Sequence, residues 1–247
     1  MLLIDDWRQL SMGRDDRATL IGATGTGKTT LARFLVEDKY KRNSVVYNNK
    51  PSDAVDKWIQ TQQMFYNFDD LEYTEANRII YTPPVKESLN ADLQDRFFDW
   101  IYYRRFTRLY VDEANALRGG TNPSYYLQAC ICRGRERGIG VITGTQRPYR
   151  VPIILMSEAE HFYIFRLNML VDRQRVYELT GISVDEQTDL EQYEFFYYNA
   201  ILGQRSNRLR INPSRVTPHT LSHFPKRSNT NARSKTAFTI PLQYAAT

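Results

Sequence analysis

The chain has 247 residues, 42% of them hydrophobic and 25% charged, a composition typical of a soluble globular protein of one or two domains. This composition excludes collagen-like, coiled-coil and low-complexity proteins, and no run of about 18 apolar residues predicts a membrane-spanning helix. The net charge of +5 is uneven, because residues 195–247 hold eight Lys or Arg and no Asp or Glu, whereas the residues before them hold 25 basic and 28 acidic groups.

Strands and helices are predicted to alternate along the body of the chain. Short apolar runs predict buried strands, and apolar residues three and four apart predict amphipathic helices. In chain order the predicted elements are a strand at 17–21, a helix at 28–38, strands at 44–47 and 78–81, a helix at 89–103, a strand at 109–111, a helix at 123–134 that starts at Asn122–Pro123, strands at 139–143 and 161–167, a helix at 170–179 ended by Gly181, and a hairpin of 191–200 with 208–211. This order predicts an α/β fold in which a mainly parallel sheet carries helices on both faces.

The C-terminal part of the chain differs in composition from the rest. Residues 1–211 are predicted to form one folded domain, and residues 212–247, rich in Pro, Ser, Thr, Asn and basic residues, a partly extended tail. A basic tail on a slightly acidic body is compatible with a polyanionic partner, and equally with a solvated tail that binds nothing. The first residues lack the basic and apolar regions of a secretory signal. Cys130 and Cys132 are too close in sequence to suit a disulfide, which favours a reducing intracellular compartment.

A phosphate-binding loop follows the first predicted strand. The pattern G-x-x-x-x-G-K-[ST] is matched by Gly22, Ala23, Thr24, Gly25, Thr26, Gly27, Lys28 and Thr29, with Thr30 next in the predicted helix. The N–H groups of such a loop and the helix N-terminus bind the phosphates of ATP. Lys28 is expected to bridge the β- and γ-phosphates, and Thr29 to ligate Mg²⁺. The alternative, a glycine-rich turn that happens to contain a lysine, leaves the flanking strand and helix unexplained.

Polar residues follow two further predicted strands. The strand at 109–111 ends in Asp112 and Glu113, the place for a Walker B pair, in which Asp112 would hold Mg²⁺ and Glu113 would act as general base. The strand at 139–143 leads to Gln146, which would sense the γ-phosphate or orient water. Without the phosphate loop, both patterns would be interpreted as ordinary polar strand ends. A glutamate beside the Walker B aspartate also predicts the class of ring ATPases with an extra strand between the phosphate-loop strand and the Walker B strand.

Three arginines, Arg133, Arg135 and Arg137, cluster immediately before the strand at 139–143. One of them would serve as an arginine finger that reaches the nucleotide of a neighbouring subunit, which requires an oligomer. Arg135 is the first candidate and Arg133 the second. The alternative is a set of basic side chains that interact with the negative end of a helix dipole.

The order GATGTGKTT, LYVDEA and RGRERGIGVITGTQRP resembles the FtsK–HerA superfamily of DNA-pumping ATPases over residues 17–180. This resemblance implies a RecA-like core, assembled as a hexameric ring around duplex DNA and driven by ATP with Mg²⁺. It implies Walker A roles for Lys28 and Thr29, Walker B roles for Asp112 and Glu113, and a sensor role for Gln146. It also places an arginine at the position of Arg135. The chain departs from the family at Asn48-Asn49-Lys50, where many relatives carry an acid, so any role of that acid is in doubt here.

Within the superfamily, the chain is most similar to the genome-packaging ATPases of tectivirus-like double-stranded DNA viruses. Cell-division and conjugation relatives usually carry membrane helices and extra domains, and archaeal relatives carry an N-terminal barrel, which the short segment before the phosphate loop does not suit. The resemblance implies a sequence-independent duplex-DNA translocase in the host cytoplasm or at the packaging vertex of the virion. The tail would contact capsid or viral membrane proteins, membrane lipid headgroups or DNA, and the sequence does not decide between them. Candidate DNA contacts, each of them also explicable as a surface charge, are Lys50, Lys57, Arg118, Arg147 and Arg150.

Other functional classes stay open at this point. An ATP-dependent switch, or a secretion or assembly ATPase of the filamentous-phage or plasmid-transfer type, would bind ATP without pumping duplex DNA. A small-molecule or nucleic-acid kinase would transfer phosphate instead, but no lid segment is identified. The aromatic cluster Tyr193–Tyr198 is predicted to form a sheet edge or a subunit interface rather than a surface for stacking bases.

Overall fold

The computed structural model describes residue 10 and residues 12–36, 43–49, 62–117 and 123–213. The strands are β1 (Arg17–Ile21), β2 (Asn43–Tyr47), β3 (Gln63–Phe65), β4 (Arg78–Tyr81), β5 (Thr107–Val111), β6 (Gly140–Thr145), β7 (His161–Phe165), β8 (Glu194–Asn199), β9 (Gln204–Arg205) and β10 (Leu209–Arg210). The helices are α1 (Lys28–Val36), α2 (Phe68–Glu72), α3 (Val85–Ser88), α4 (Ala91–Arg104), α5 (Tyr125–Arg133), α6 (Ile153–Ser157), α7 (Leu170–Thr180) and α8 (Val184–Thr188). Short 3₁₀ turns lie at Ala114–Ala116, Gly134–Arg137 and Pro148–Arg150.

These strands form one mixed sheet in the order β10-β8-β7-β1-β6-β5-β2-β4-β3, with β9 paired to β8. The seven strands from β7 to β3 are parallel, and β8 is antiparallel to both β7 and β10. Strand β6 lies between β1 and β5, which confirms the extra strand between the phosphate-loop and Walker B strands. Because parallel strands all point the same way, their last residues meet at one edge, here called the carboxyl edge, and their first residues meet at the opposite amino edge.

Helices cover both faces of the sheet, as the sequence predicts. On one face, Leu31 and Leu35 of α1 pack with Leu20 of β1 in a buried cluster. On the other face, Phe97 of α4 and Leu127 of α5 belong to a second cluster. Since successive residues of a strand point to opposite faces, the central strands contribute alternately to the two clusters and read as continuous apolar runs. The α/β fold class with a parallel sheet is therefore confirmed.

Several predicted boundaries shift because local hydrogen bonds decide where an element begins. The helix predicted at 89–103 begins at Ala91, since the side chain of Asn90 caps it by accepting hydrogen bonds from the N–H groups of Asp92 and Leu93. The helix predicted to start at Asn122–Pro123 begins at Tyr125, because Ser124 is its N-cap and accepts a hydrogen bond from the N–H of Leu127. The predicted helix start was therefore wrong by two residues.

The predicted C-terminal hairpin is present, because β8 and β10 pair antiparallel. The short strand β9 lies between them in the sequence and also pairs with β8. Of the two alternatives predicted for Tyr193–Tyr198, the sheet edge was wrong, because β8 lies between β7 and β10 and buries Phe195 and Tyr197. The subunit interface stays a prediction. An aromatic-rich strand of this kind is a core strand that packs on both of its faces. Ile211 is still buried in the core, and residues 214–247 of the predicted tail lie outside the described residues.

Cys130 is buried and Cys132 is exposed, and neither forms a disulfide. Within the part of the chain that the structure describes, no helix has both the length and the apolar character needed to span a membrane.

Candidate nucleotide site

The phosphate loop leaves β1 at the carboxyl edge and enters α1. Its first residues are held by the neighbouring strands, since the N–H of Gly22 donates to the Thr145 carbonyl (3.0 Å) and the N–H of Ala23 to the Arg166 carbonyl (2.8 Å). The buried Lys28 turns back over the loop, and its Nζ donates to the carbonyl oxygens of Gly22 (2.6 Å) and Ala23 (2.9 Å). The loop therefore curls around its own lysine at the N-terminus of a helix, an arrangement suited to phosphate.

A segment from the far end of the chain supports this loop. The N–H of Tyr193 donates to the Thr26 carbonyl (2.9 Å), and Nε2 of Gln192 donates to the Gly25 carbonyl (3.0 Å). Gly27 has a φ of +114°, and a Cβ at this position would lie 2.8 Å from Cδ1 of Tyr193. Glycine is thus required both by the backbone and by the tyrosine ring. No sequence pattern predicts this support, because nothing local links residues 167 positions apart.

Asp112 comes directly after β5, two strands from the phosphate loop. It is 6% exposed, and its Oδ1 accepts a hydrogen bond from the hydroxyl of Tyr110 at 2.8 Å. Burial raises the pKa of the Asp112 carboxyl, while the Tyr110 hydrogen bond and the nearby charge of Lys28 act in the opposite direction. On β6, a Cβ at Gly144 would lie 2.7 Å from the Tyr110 hydroxyl and 3.3 Å from Asp112 Oδ1, so a larger residue here would displace the Tyr110 hydroxyl.

Glu113 and the phosphate loop are joined through Gln146. The Thr24 hydroxyl donates to Gln146 Oε1 (2.7 Å), and Nε2 of Gln146 donates to the Glu113 carboxylate. This chain of contacts is called the Gln146 bridge below. Glu113 is buried and has a left-handed backbone (φ 51°, ψ 55°). A bulky residue in this region costs free energy and is typically found at functional sites.

The donor set at the loop suits a hard divalent cation. Thr29 and Thr30 lie in the first turn of α1, next to Lys28, and both are partly exposed. The Thr29 hydroxyl and the Asp112 carboxylate are oxygen ligands, the type that Mg²⁺ prefers together with phosphate oxygens. A cation bound there would also stabilise the negative charge of the buried Asp112 carboxylate.

Arg135 lies at the amino edge of the sheet, far from the phosphate loop of its own chain. Its guanidinium donates to Glu160, and its Nε lies 3.7 Å from Oδ2 of Asp15. The five residues of β1, about 16 Å in length, separate this edge from the loop. The side chain is 52% exposed, so the predicted role as a finger is geometrically open only toward the nucleotide of another subunit. Arg133 is also exposed at the same edge.

Two of the five candidate DNA contacts, Arg147 and Arg150, fall within the described residues. Lys50, Lys57 and Arg118 lie outside the described residues, and Arg150 is exposed. Nε of Arg147 donates to Oδ2 of Asp172 at 2.8 Å, so this side chain is engaged within the fold. Asn48, the first residue of the segment Asn48-Asn49-Lys50 where the family resemblance implies an acid, is buried, and its Nδ2 donates to the Thr82 hydroxyl at 3.1 Å.

Known proteins resemble this chain in sequence or in fold. No family model matches the sequence. The chain is 28% identical over 172 residues to the DNA packaging ATPase P9 of Enterobacteria phage PRD1, covering 69% of this chain and 72% of that protein. Its fold is similar to the genome packaging NTPase B204 of Sulfolobus turreted icosahedral virus 2 in complex with ATP-γS (TM-score 0.66, 16% identity, 80% and 98% of the two chains). It is also similar to VirB4 of Thermoanaerobacter pseudethanolicus (TM-score 0.58, 11% identity, 85% and 92%).

Proposed function

We propose that this chain is a P-loop ATPase of the FtsK–HerA type and that it is the motor that packages the double-stranded DNA genome of a virus. The observation that carries the proposal is one assembled site: the phosphate loop, Asp112, Glu113 and Gln146 meet at the carboxyl edge of the sheet. Sequence similarity to the packaging ATPase of phage PRD1 supports viral DNA as the cargo. Structures of B204 with AMP, AMPPCP and ATP-γS support ATP as the nucleotide.

Binding would begin at the phosphate loop. Lys28 exchanges the carbonyl oxygens of Gly22 and Ala23 for the β- and γ-phosphates, while the loop N–H groups and the α1 N-terminus bind the remaining phosphate oxygens. Thr29 and Asp112 would hold Mg²⁺, which neutralises charge on the phosphates when it is bound.

Hydrolysis then requires a base and a means of detecting the γ-phosphate. Glu113 takes the proton of the water that attacks the γ-phosphorus, and the bond to the β-phosphate oxygen breaks to leave ADP and phosphate. Gln146 contacts both Glu113 and Thr24 of the loop. A γ-phosphate near Thr24 would therefore change the contacts of Gln146, and its release would restore them.

We further propose that subunits form a ring, a hexamer by its resemblance to the family. Arg135 of one subunit would stabilise charge on the nucleotide of the next, an effect worth about 10³–10⁵ in rate in other P-loop enzymes. Contacts to duplex DNA would be made to phosphates, so binding would be independent of sequence and sensitive to salt. The motor would act in the host cytoplasm or at the packaging vertex, with residues 212–247 contacting capsid or viral membrane proteins.

The test is steady-state ATP hydrolysis with and without duplex DNA of unrelated sequences, at low and moderate salt. Stimulation by every duplex, weaker at higher salt and absent in Lys28→Ala, is the expected result. Turnover indifferent to DNA would favour an ATP-dependent switch or a secretion or assembly ATPase. Phosphate transfer to a nucleoside or to a 5′-hydroxyl would indicate a kinase.

A further inference from the structure

Asp172 is a buried carboxylate outside the predicted site. It lies in the first turn of α7 and is only 1% exposed. Its Oδ2 accepts a hydrogen bond from Nε of Arg147 (2.8 Å), and its Oδ1 accepts one from the N–H of Tyr149 (3.1 Å). A carboxylate this deeply buried is tolerated only when its oxygens are paired. These bonds fasten residues 147–149 to α7.

That segment starts directly after Gln146. The N–H of Arg147 donates to the Thr145 hydroxyl (3.0 Å), and this hydroxyl donates to Oδ1 of Asn115 (3.0 Å). Hydrogen bonds therefore fix the residues on both sides of Gln146. Thr145 is bonded to Asn115, two residues after Glu113, and Arg147 is bonded to Asp172. The backbone that carries the Gln146 side chain has fixed points before and after it.

We propose that Asp172 is a positioning residue for ATP hydrolysis, which holds Gln146 against Glu113 through the segment 147–149. Asp172 does not itself bind the nucleotide or the attacking water. Without its ion pair, the backbone after β6 is free to shift, and a displacement of about 1 Å in a site of this kind costs about 10²-fold in rate. The inference rests on the roles proposed above for Gln146 and Glu113.

The main variant is Asp172→Asn, which removes the charge and keeps an oxygen that can accept the Tyr149 hydrogen bond. We expect kcat for ATP hydrolysis to fall by about 10- to 100-fold, while the Kd for ATP, measured by titration with a fluorescent analogue, changes less than about twofold. A fall in affinity equal to the fall in kcat would overturn the proposal.

Folding of this variant needs its own control, because it leaves the Arg147 guanidinium without its carboxylate. The double variant Arg147→Gln with Asp172→Asn leaves no charge unpaired at the site, and it should show the same loss of kcat. Glu186→Gln is the matched control, since Glu186 also accepts hydrogen bonds from a backbone N–H (Ser183, 3.0 Å) and an arginine (Arg205, 3.1 Å). It lies on α8, away from the Gln146 bridge, and should leave kcat unchanged.

A double-mutant comparison separates positioning from a general loss of stability. In a Gln146→Ala background, Asp172→Asn should cause no further fall in kcat, because Asp172 acts only through Gln146. Losses that multiply, or full turnover in Asp172→Asn when Gln146→Ala is impaired, would overturn the inference alone. Full turnover in both Gln146→Ala and Glu113→Gln would overturn the proposed function of the site as well.

Discussion

The side-chain amide of Gln146 donates a hydrogen bond to the carboxylate of Glu113. These residues follow the neighbouring strands β6 and β5, so they meet only because both strands end at the carboxyl edge. The other end of the same amide accepts a hydrogen bond from Thr24 of the phosphate loop. The proposed base, the proposed sensor and the phosphate loop are thereby linked by two hydrogen bonds.

Replacing the proposed base should separate binding from turnover. Glu113→Gln is expected to reduce the rate of ATP hydrolysis by about 10²–10⁴-fold, the usual contribution of a general base, while ATP still binds. Single-turnover hydrolysis and equilibrium nucleotide titration measure the two effects. Lys28→Ala is the contrasting variant and should lose binding itself. Turnover of Glu113→Gln within threefold of the wild type would contradict the role of Glu113.

The hydroxyl of Tyr110 should matter more than that of another buried tyrosine. Tyr110→Phe removes the donor to Asp112, so the pKa of Asp112, already raised by burial, should rise further and the Mg²⁺ dependence of nucleotide binding should shift to higher Mg²⁺. The free energy of unfolding should fall by about 1.5–3 kcal/mol, the value of a hydrogen bond to a charged group. Urea unfolding and nucleotide titration at varied Mg²⁺ check both.

Tyr163 provides the control for that variant. Its hydroxyl is buried on β7 and has no hydrogen-bond partner among the described residues. Tyr163→Phe should therefore be neutral or stabilise the fold by up to about 1 kcal/mol. It removes a hydroxyl that gives up its hydrogen bonds to water on folding and gains none among the described residues. Equal losses in both variants would mean that the Tyr110 hydrogen bond has no specific role.

Complementation tests whether Arg135 acts between subunits. Arg135→Ala and Lys28→Ala should each be inactive, because one lacks the proposed finger and the other the proposed phosphate-binding lysine. In a mixture that exchanges subunits, an intact loop of one protein can meet an intact Arg135 of the other, so part of the ATPase activity should return. Arg133→Ala is the comparison and should remain active. Full activity of Arg135→Ala alone would contradict the prediction.

Acid should weaken the fold partly through Asp16. The hydrogen bond with His161 (3.0 Å) lowers the pKa of Asp16 below its ordinary value of 3.8, and the N–H of Gly13 adds to this effect. A carboxyl with a depressed folded-state pKa stabilises the protein above its unfolded pKa, and this stabilisation is lost as the pH falls through the folded pKa. The difference in unfolding free energy between wild type and Asp16→Asn should therefore be largest above about pH 5 and shrink below pH 4. A difference that is constant from pH 7 to pH 3 would contradict it.

Local sequence determined a large part of this molecule. The phosphate loop, the strand before it, the helix after it and the acidic pair after β5 are each contiguous segments, whose residue pattern and hydrogen bonding are decided within a few positions. The extra strand between β1 and β5 also followed from one local feature, Glu113 beside Asp112. Helix starts were predicted less well. The helix that begins at Tyr125 is capped by Ser124, whereas the sequence predicts a start at Asn122–Pro123.

Only the tertiary structure decided which distant side chains meet. The order of the strands brings Gln146 to Glu113 and places Arg135 at the amino edge, away from the phosphate loop of its own chain. The support of the loop by Tyr193 and the ion pair of Asp172 with Arg147 leave no local pattern in the sequence. A motif specifies the chemistry of a segment, but contacts between segments far apart in the chain depend on how the sheet is ordered and how the helices pack on it.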